Sequence, residues 1–187
     1  MDFFNQHFTP EELLEGKLFL INKPLGWTSF QVVNKLRWHL KNLSGLKKIK
    51  VGHAGTLDPL ATGLLLICTG KKTKSISTLQ ETEKEYTGTF LMGATTPSYD
   101  LETSINQTFD TSLLTEEIIF NTTVKFTGEI LQYPPVFSAL KKNGKRLYEY
   151  ARAGEDPEIT PRTVNIHEFK IIKINLPKVD FLVRCSK

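Results

Sequence analysis

The sequence predicts a single domain of mixed α and β structure, and three observations carry that expectation. Short apolar runs bounded by glycine or proline, Lys17–Asn22 (KLFLIN) and Leu64–Cys68 (LLLIC), read as buried strands. Between them Val32, Val33, Leu36 and Leu40 recur at helical spacing. Towards the C-terminus, Val164–Lys173 and Val179–Arg184 read as further strands, separated by Asn175 and Pro177. No repeat, low-complexity tract or linker divides the 187 residues.

Taken in order, Lys23-Pro24 ends the first strand, and Pro24, Gly26 and Thr28 make a turn. Thr28 with Gln31 three residues on is a capping-box pattern, which supplies partners for the unpaired amides of a helix start. The spacing therefore predicts an amphipathic helix over Ser29–Leu43, followed by a basic linker over Ser44–Lys50. Val51–Gly63 (VGHAGTLDPLATG) carries Gly52, Gly55, Pro59 and Gly63, so it reads as a loop of fixed shape. After the LLLIC strand and Gly70, Lys71–Gln80 predicts a short basic helix, and Glu85–Met92 another strand. The polar stretch Gly93–Ser112 predicts surface loop with one short strand, and Leu113–Phe126 a helix weakened by Thr122, Thr123 and Val124. Asn143-Gly144 supplies the positive φ angles of a tight turn, so Val136–Tyr148 reads as a hairpin, with a short helix over Tyr148–Ala153.

Composition excludes several classes. At 40% hydrophobic and 24% charged, the chain is ordinary for a globular protein. No apolar run approaches the roughly 20 residues of a membrane span, and Met1–Glu15 lacks the pattern of a secretory signal. Cys68 and Cys185 lie far apart among apolar neighbours, without metal-ligand spacing; a reduced, cytoplasmic setting is the simplest expectation. The formal charge of +4 is mildly basic, but it recurs in clusters at Lys47, Lys48 and Lys50, at Lys71, Lys72 and Lys74, and at Lys141, Lys142, Lys145 and Arg146. Any one cluster reads as a solvated patch; two of the three flank the glycine-rich loop, which points to a polyanionic partner.

That loop holds one carboxylate, Asp58, between Leu57 and Pro59. An acid on a rigid loop beside apolar residues is placed as a nucleophile or general base. It can equally do no more than cap the turn, a common use of Asp-Pro. His53 has no His or Cys near it to complete a zinc set, so it is either a hydrogen-bonded loop histidine or one that stacks on a base. The loop also lacks the GxxxxGK[ST] arrangement that cradles phosphate.

Four segments together, Lys23-Pro24-x-Gly26-x-Thr28-Ser29, GHAGTLDPLATGLL from Gly52, Lys84-x-Tyr86, and YPPVFSALKKNGKRLYEYARAG from Tyr133, resemble in order and spacing the TruB family of tRNA pseudouridine synthases. The resemblance implies an α+β fold with a mixed, largely antiparallel central sheet and flanking helices. It implies isomerisation of the uridine at position 55 in the tRNA T-loop to pseudouridine, with no cofactor, no metal and tRNA as partner of a monomer. By the same resemblance Asp58 is the catalytic aspartate, His53 packs where the base is extruded, Tyr86 stacks on the flipped base, and Lys23 and Pro24 brace the catalytic loop. Periodicity alone would make Tyr86 a half-buried strand aromatic. The family pattern continues past Arg184-Cys185-Ser186-Lys187 into Gly-Thr-Tyr-Ile-Arg, with a second active-site tyrosine and an arginine that pairs with the aspartate. Residues 1–187 do not include that continuation, so a catalytically silent tRNA-binding or tRNA-folding module that keeps the T-loop surface is the competing expectation.

Overall fold

In the computed structural model the described residues are 7–134, 141–142, 144–155 and 159–186. The chain divides into two compact units, Met1–Thr82 and Glu83–Lys187. Both combine helices with antiparallel sheet, and every described strand pairing is antiparallel.

The first unit is a three-stranded sheet in the order β1-β3-β2, made of β1 (Leu18–Lys23), β2 (Val51–Ala54) and β3 (Gly63–Thr69). Helix α1 (Pro10–Glu15) precedes it and α2 (Ser29–Ser44) follows β1. The Thr28–Gln31 capping box forms as expected, and Gly45, with φ near +70°, ends α2 in the left-handed conformation that glycine adopts at low cost. Val32, Val33, Leu36 and Leu40 of α2 pack with Leu13, Phe19, Ile49, Val51, Leu65 and Ile67 in one core. The two apolar runs are strands, but β1 is buried on one face only: Phe19, Ile21 and Lys23 turn inward while Leu18, Leu20 and Asn22 are exposed. Leu64 of β3 is likewise exposed. The alternation is the ordinary period of two, hidden because the outward positions also carry leucine.

Two elements of this unit differ from expectation. Val51–Ala54 pairs with β3, so only the rest of the glycine-rich segment is loop. Gly70–Ser75 is a 3-10 helix, and α3 (Ile76–Gln80) is a separate short turn of α-helix. Helix α1 was not foreseen, although Thr9 and Glu12 form a complete capping box.

The second unit is built on a four-stranded sheet, β4-β11-β10-β7. Its strands are β4 (Lys84–Leu91), β7 (Gly128–Gln132), β10 (Arg162–Asn175) and β11 (Lys178–Cys185). Phe181 stacks on Phe90 at 4.2 Å and meets Phe169 edge-on at 6.0 Å. Gly88 lies opposite Phe181, and a Cβ there would sit 2.7 Å from the ring, so no side chain fits beneath it. Between the strands run a small ladder of β5 (Ala94–Thr95) and β6 (Gln107–Thr108), then α4 (Glu116–Val124), capped by Thr115. Strand β7 was not foreseen. The expected hairpin appears as β8 (Lys141–Lys142) paired with β9 (Lys145–Arg146), followed by α5 (Leu147–Arg152). The remainder of that expectation, 136–140 and Asn143, lies outside the described residues. Among the described residues no helix is long and apolar enough to cross a membrane.

Candidate active site

Strand alternation places Lys23, the last residue of β1, on the core side, where its side chain is fully buried. A buried ammonium is costly unless its three hydrogens find acceptors. Here Nζ donates to the main-chain carbonyls of Trp27 at 2.6 Å, Pro24 at 3.0 Å and Pro59 at 3.4 Å. Burial pushes the Lys23 pKa below its ordinary value, and the negative charge of Asp58 works against that shift. One cation thus gathers the turn after β1 and the residue after Asp58.

Two more contacts fix the same segment. The Gly26 amide donates to the Pro59 carbonyl at 2.8 Å. Ser29, buried at the start of α2, accepts from the Leu57 amide at 2.9 Å and donates to the Leu57 carbonyl at 3.1 Å. Leu57 packs against the core, Pro59 is tied to Lys23 and Gly26, and Asp58 between them is exposed. The main-chain carbonyl of Asp58 accepts from the Ala61 amide at 3.0 Å, closing a turn with Pro59 at its second position. The main chain closes the turn, so that bond does not require a carboxylate. Ser29 had been noted only as part of a motif; its signal was a small hydroxyl at the first position of a capped helix.

His53 is on β2, paired with Ile67, and its Nδ1 contacts the Gly55 carbonyl. A carbonyl can only accept, so Nδ1 donates in that contact. Tyr86 belongs to the second unit, on β4 opposite Val183, and is 46% exposed. The structure therefore gathers Lys23, Pro24 and Asp58 with Ser29 and Gly26 at one loop and sets His53 on the strand leading into that loop, while Tyr86 is on a sheet of the other unit.

One feature of the charge distribution went unread. Between Gly16 and Gln80 the chain has eleven lysines and arginines and a single acidic residue, Asp58. Among the described residues no group of three or more His, Cys, Asp or Glu is placed to hold a metal ion.

A loop with one braced carboxylate, set in a cationic unit rich in antiparallel sheet, defines a class that comparison with known proteins makes specific. Residues 41–187 match the family described as TruB family pseudouridylate synthase (N terminal domain). Over 180 residues the chain is 66% identical to a tRNA pseudouridine synthase B of Flavobacterium johnsoniae, covering 96% of this chain and 79% of that protein. It is 53% identical over 173 residues to the tRNA pseudouridine synthase B of Phocaeicola vulgatus, covering 92% and 74%. Among solved structures, a chain of a Cbf5-Nop10-Gar1 complex matches with a TM-score of 0.63 at 27% identity, over 93% of this chain and 40% of that one. The chain belongs to the TruB family of pseudouridylate synthases.

Proposed function

We propose that this chain isomerises a uridine of tRNA to pseudouridine, that the target is the T-loop uridine, and that Asp58 is the catalytic carboxylate. The observation that carries the reading is Asp58 itself: the one acid in a long cationic stretch, held outward by bonds to the residues on both sides of it. A polyanion-binding surface has no electrostatic use for a carboxylate, so its presence there calls for a chemical one. The names of the close relatives support the reaction and the substrate.

The reaction breaks the bond from C1′ to N1 of the uracil, turns the base, and joins C1′ to C5. C5 gives up its proton and N1 takes one, so atoms and electrons balance within one nucleotide and the isomerisation consumes no second reactant. Chemistry at that carbon requires the nucleotide to leave its stack. In this reading Asp58 acts at the extruded uridine, Tyr86 offers its ring to the base, and His53 packs beside it. Lys23 and Pro24 act through the loop, setting the position of Asp58. The protein is read as a cytoplasmic monomer that approaches tRNA through its lysine clusters.

The test compares wild type with Asp58→Asn on an unmodified T-loop stem, assaying pseudouridine chemically because isomerisation leaves the mass unchanged. Asn keeps the shape of the turn but is neither nucleophile nor useful base. The expected result is product from wild type, none from Asp58→Asn, and binding retained by both. Substantial product from Asp58→Asn would sink the assignment. Binding without product from wild type would instead favour the silent tRNA-binding module.

A further inference from the structure

The side of α2 turned away from the core has an unusual composition. Phe30, Asn34 and Trp38 follow one another at intervals of four, so they share a face of the helix. Phe30 is 61% exposed and Trp38 58% exposed, and the two lie about 12 Å apart along the axis. The Lys35 ammonium sits 5.1 Å from the centre of the Trp38 ring, a cation–π contact. Helix α2 contains no acidic residue, and the linker after it exposes Lys47 and Lys48.

This face is also joined to the catalytic loop. Ser29, next to Phe30, is the residue that bonds both polar groups of the Leu57 backbone. Farther along, Arg37 donates to the Val51 carbonyl at 3.1 Å, tying the helix to the strand that carries His53. The helix therefore runs from the Asp58 loop outward to the lysines as one rigid element.

Two chemistries could cover exposed aromatic rings. A protein partner would favour a contiguous apolar cluster depleted in lysine. Here two separate rings stand in a field of cations with an amide between them, which suits bases stacking while lysines meet the phosphates. We propose that the outer face of α2, anchored by Trp38 and Phe30 and flanked by Lys35, Lys47 and Lys48, is a second docking surface for tRNA, where unpaired nucleotides outside the reacting loop stack. The inference rests on tRNA being the substrate, and it adds a contact remote from the reacting base.

The experiment uses the whole chain and an unmodified tRNA transcript at fixed salt. Trp27 and Trp38 are the two tryptophans of the sequence, and Trp27 lies beside the Asp58 loop, so stacking at Trp38 is read as the share of the fluorescence quenching that Trp38→Phe removes. Expected results are quenching in wild type that is clearly reduced in Trp38→Phe, affinity weakened about tenfold or more in Trp38→Ala but held in Trp38→Phe, and a log–log salt slope shallower by about 0.7–0.9 in Lys35→Ala. Wild-type isomerisation together with unchanged tRNA affinity in Trp38→Ala would overturn this surface and leave the catalytic reading standing. Wild type that neither binds nor converts tRNA would overturn both. Should Trp38→Ala fail to fold, the Trp38→Phe fluorescence decides: quenching there that equals the wild-type quenching overturns the surface. A dimer that Trp38→Ala dissociates, with no quenching by tRNA, would give the face to a second copy of the chain and also overturn it.

Discussion

Lys23 shows how a single side chain can govern a loop it does not belong to. Its ammonium is buried, which lowers its pKa, and the carbonyls of Pro24, Trp27 and Pro59 compensate. Lys23→Met keeps the volume and removes the buried charge, but leaves three acceptors without their donor. The orphaned carbonyls outweigh the relief, and a loss of about 2–4 kcal/mol is expected by denaturant unfolding. The pH dependence has a definite sign. Between the lowered folded-state value and the ordinary 10.5, the unfolded chain holds more protons at this position than the folded one. Wild type therefore gains stability relative to Lys23→Met as pH rises through that window, and the penalty returns as pH falls below it. A flat difference between the two proteins across that range would mean that Lys23 is not desolvated. At Tyr86 the expectation concerns the ring: Tyr86→Ala should lower turnover far more than Tyr86→Phe, since base–aromatic stacking is worth on the order of 1–3 kcal/mol. Equal losses from both changes would move the role to the hydroxyl. Neither the burial of Lys23 nor the pair of hydrogen bonds between Ser29 and the Leu57 backbone could be read from composition, because lysine is usually solvated and a serine at a helix start usually faces water.

Among the elements, those whose signal is local were legible. Strand β1, helix α2 and strand β3 follow from an apolar run, a capping box and a second apolar run. The elements that escaped are those made by a partner. Strand β7 is short and mostly exposed, and it is a strand because Gly128–Gln132 pairs with β10. Strand β2 is a strand because β3 offers it a ladder, despite two glycines close together in sequence. Helix α1 buries only Leu13, too little to make a periodic pattern. Gly70 joins three of these pieces, since β3 ends there, the 3-10 helix begins, and the end of α1 lies against it. A Cβ at Gly70 would come within 2.0 Å of the Leu14 carbonyl oxygen, and its φ is +51°. Gly70→Ala is therefore expected to cost more than about 2 kcal/mol, from the backbone clash added to the left-handed conformation. Calorimetry showing an unchanged melting temperature would contradict the packing of α1 on this turn.

For the whole molecule, the distribution of charge matters more than its total. The net +4 conceals a stretch from Gly16 to Gln80 that holds eleven cations and one carboxylate. Each phosphate contact adds about −0.7 to −0.9 to the log–log salt slope of RNA binding, so tRNA affinity should fall steeply between low and moderate salt. Affinity indifferent to salt would deny the cationic unit its role. The lysine clusters and the lone Asp58 between Gly16 and Gln80 are both legible in the sequence; that these residues form one compact unit is not.

The cage around the Lys23 ammonium has a last consequence, for how this enzyme would fail. Its acceptors come from the turn after β1 and from Pro59, so the loop cannot drift while the rest of the unit stays folded without stranding a positive charge in a dry interior. A softened, native-looking but inactive state is thereby made expensive. Inactivation by heat or denaturant should be all-or-none, with the positioning of Asp58 and the integrity of the core lost in the same transition.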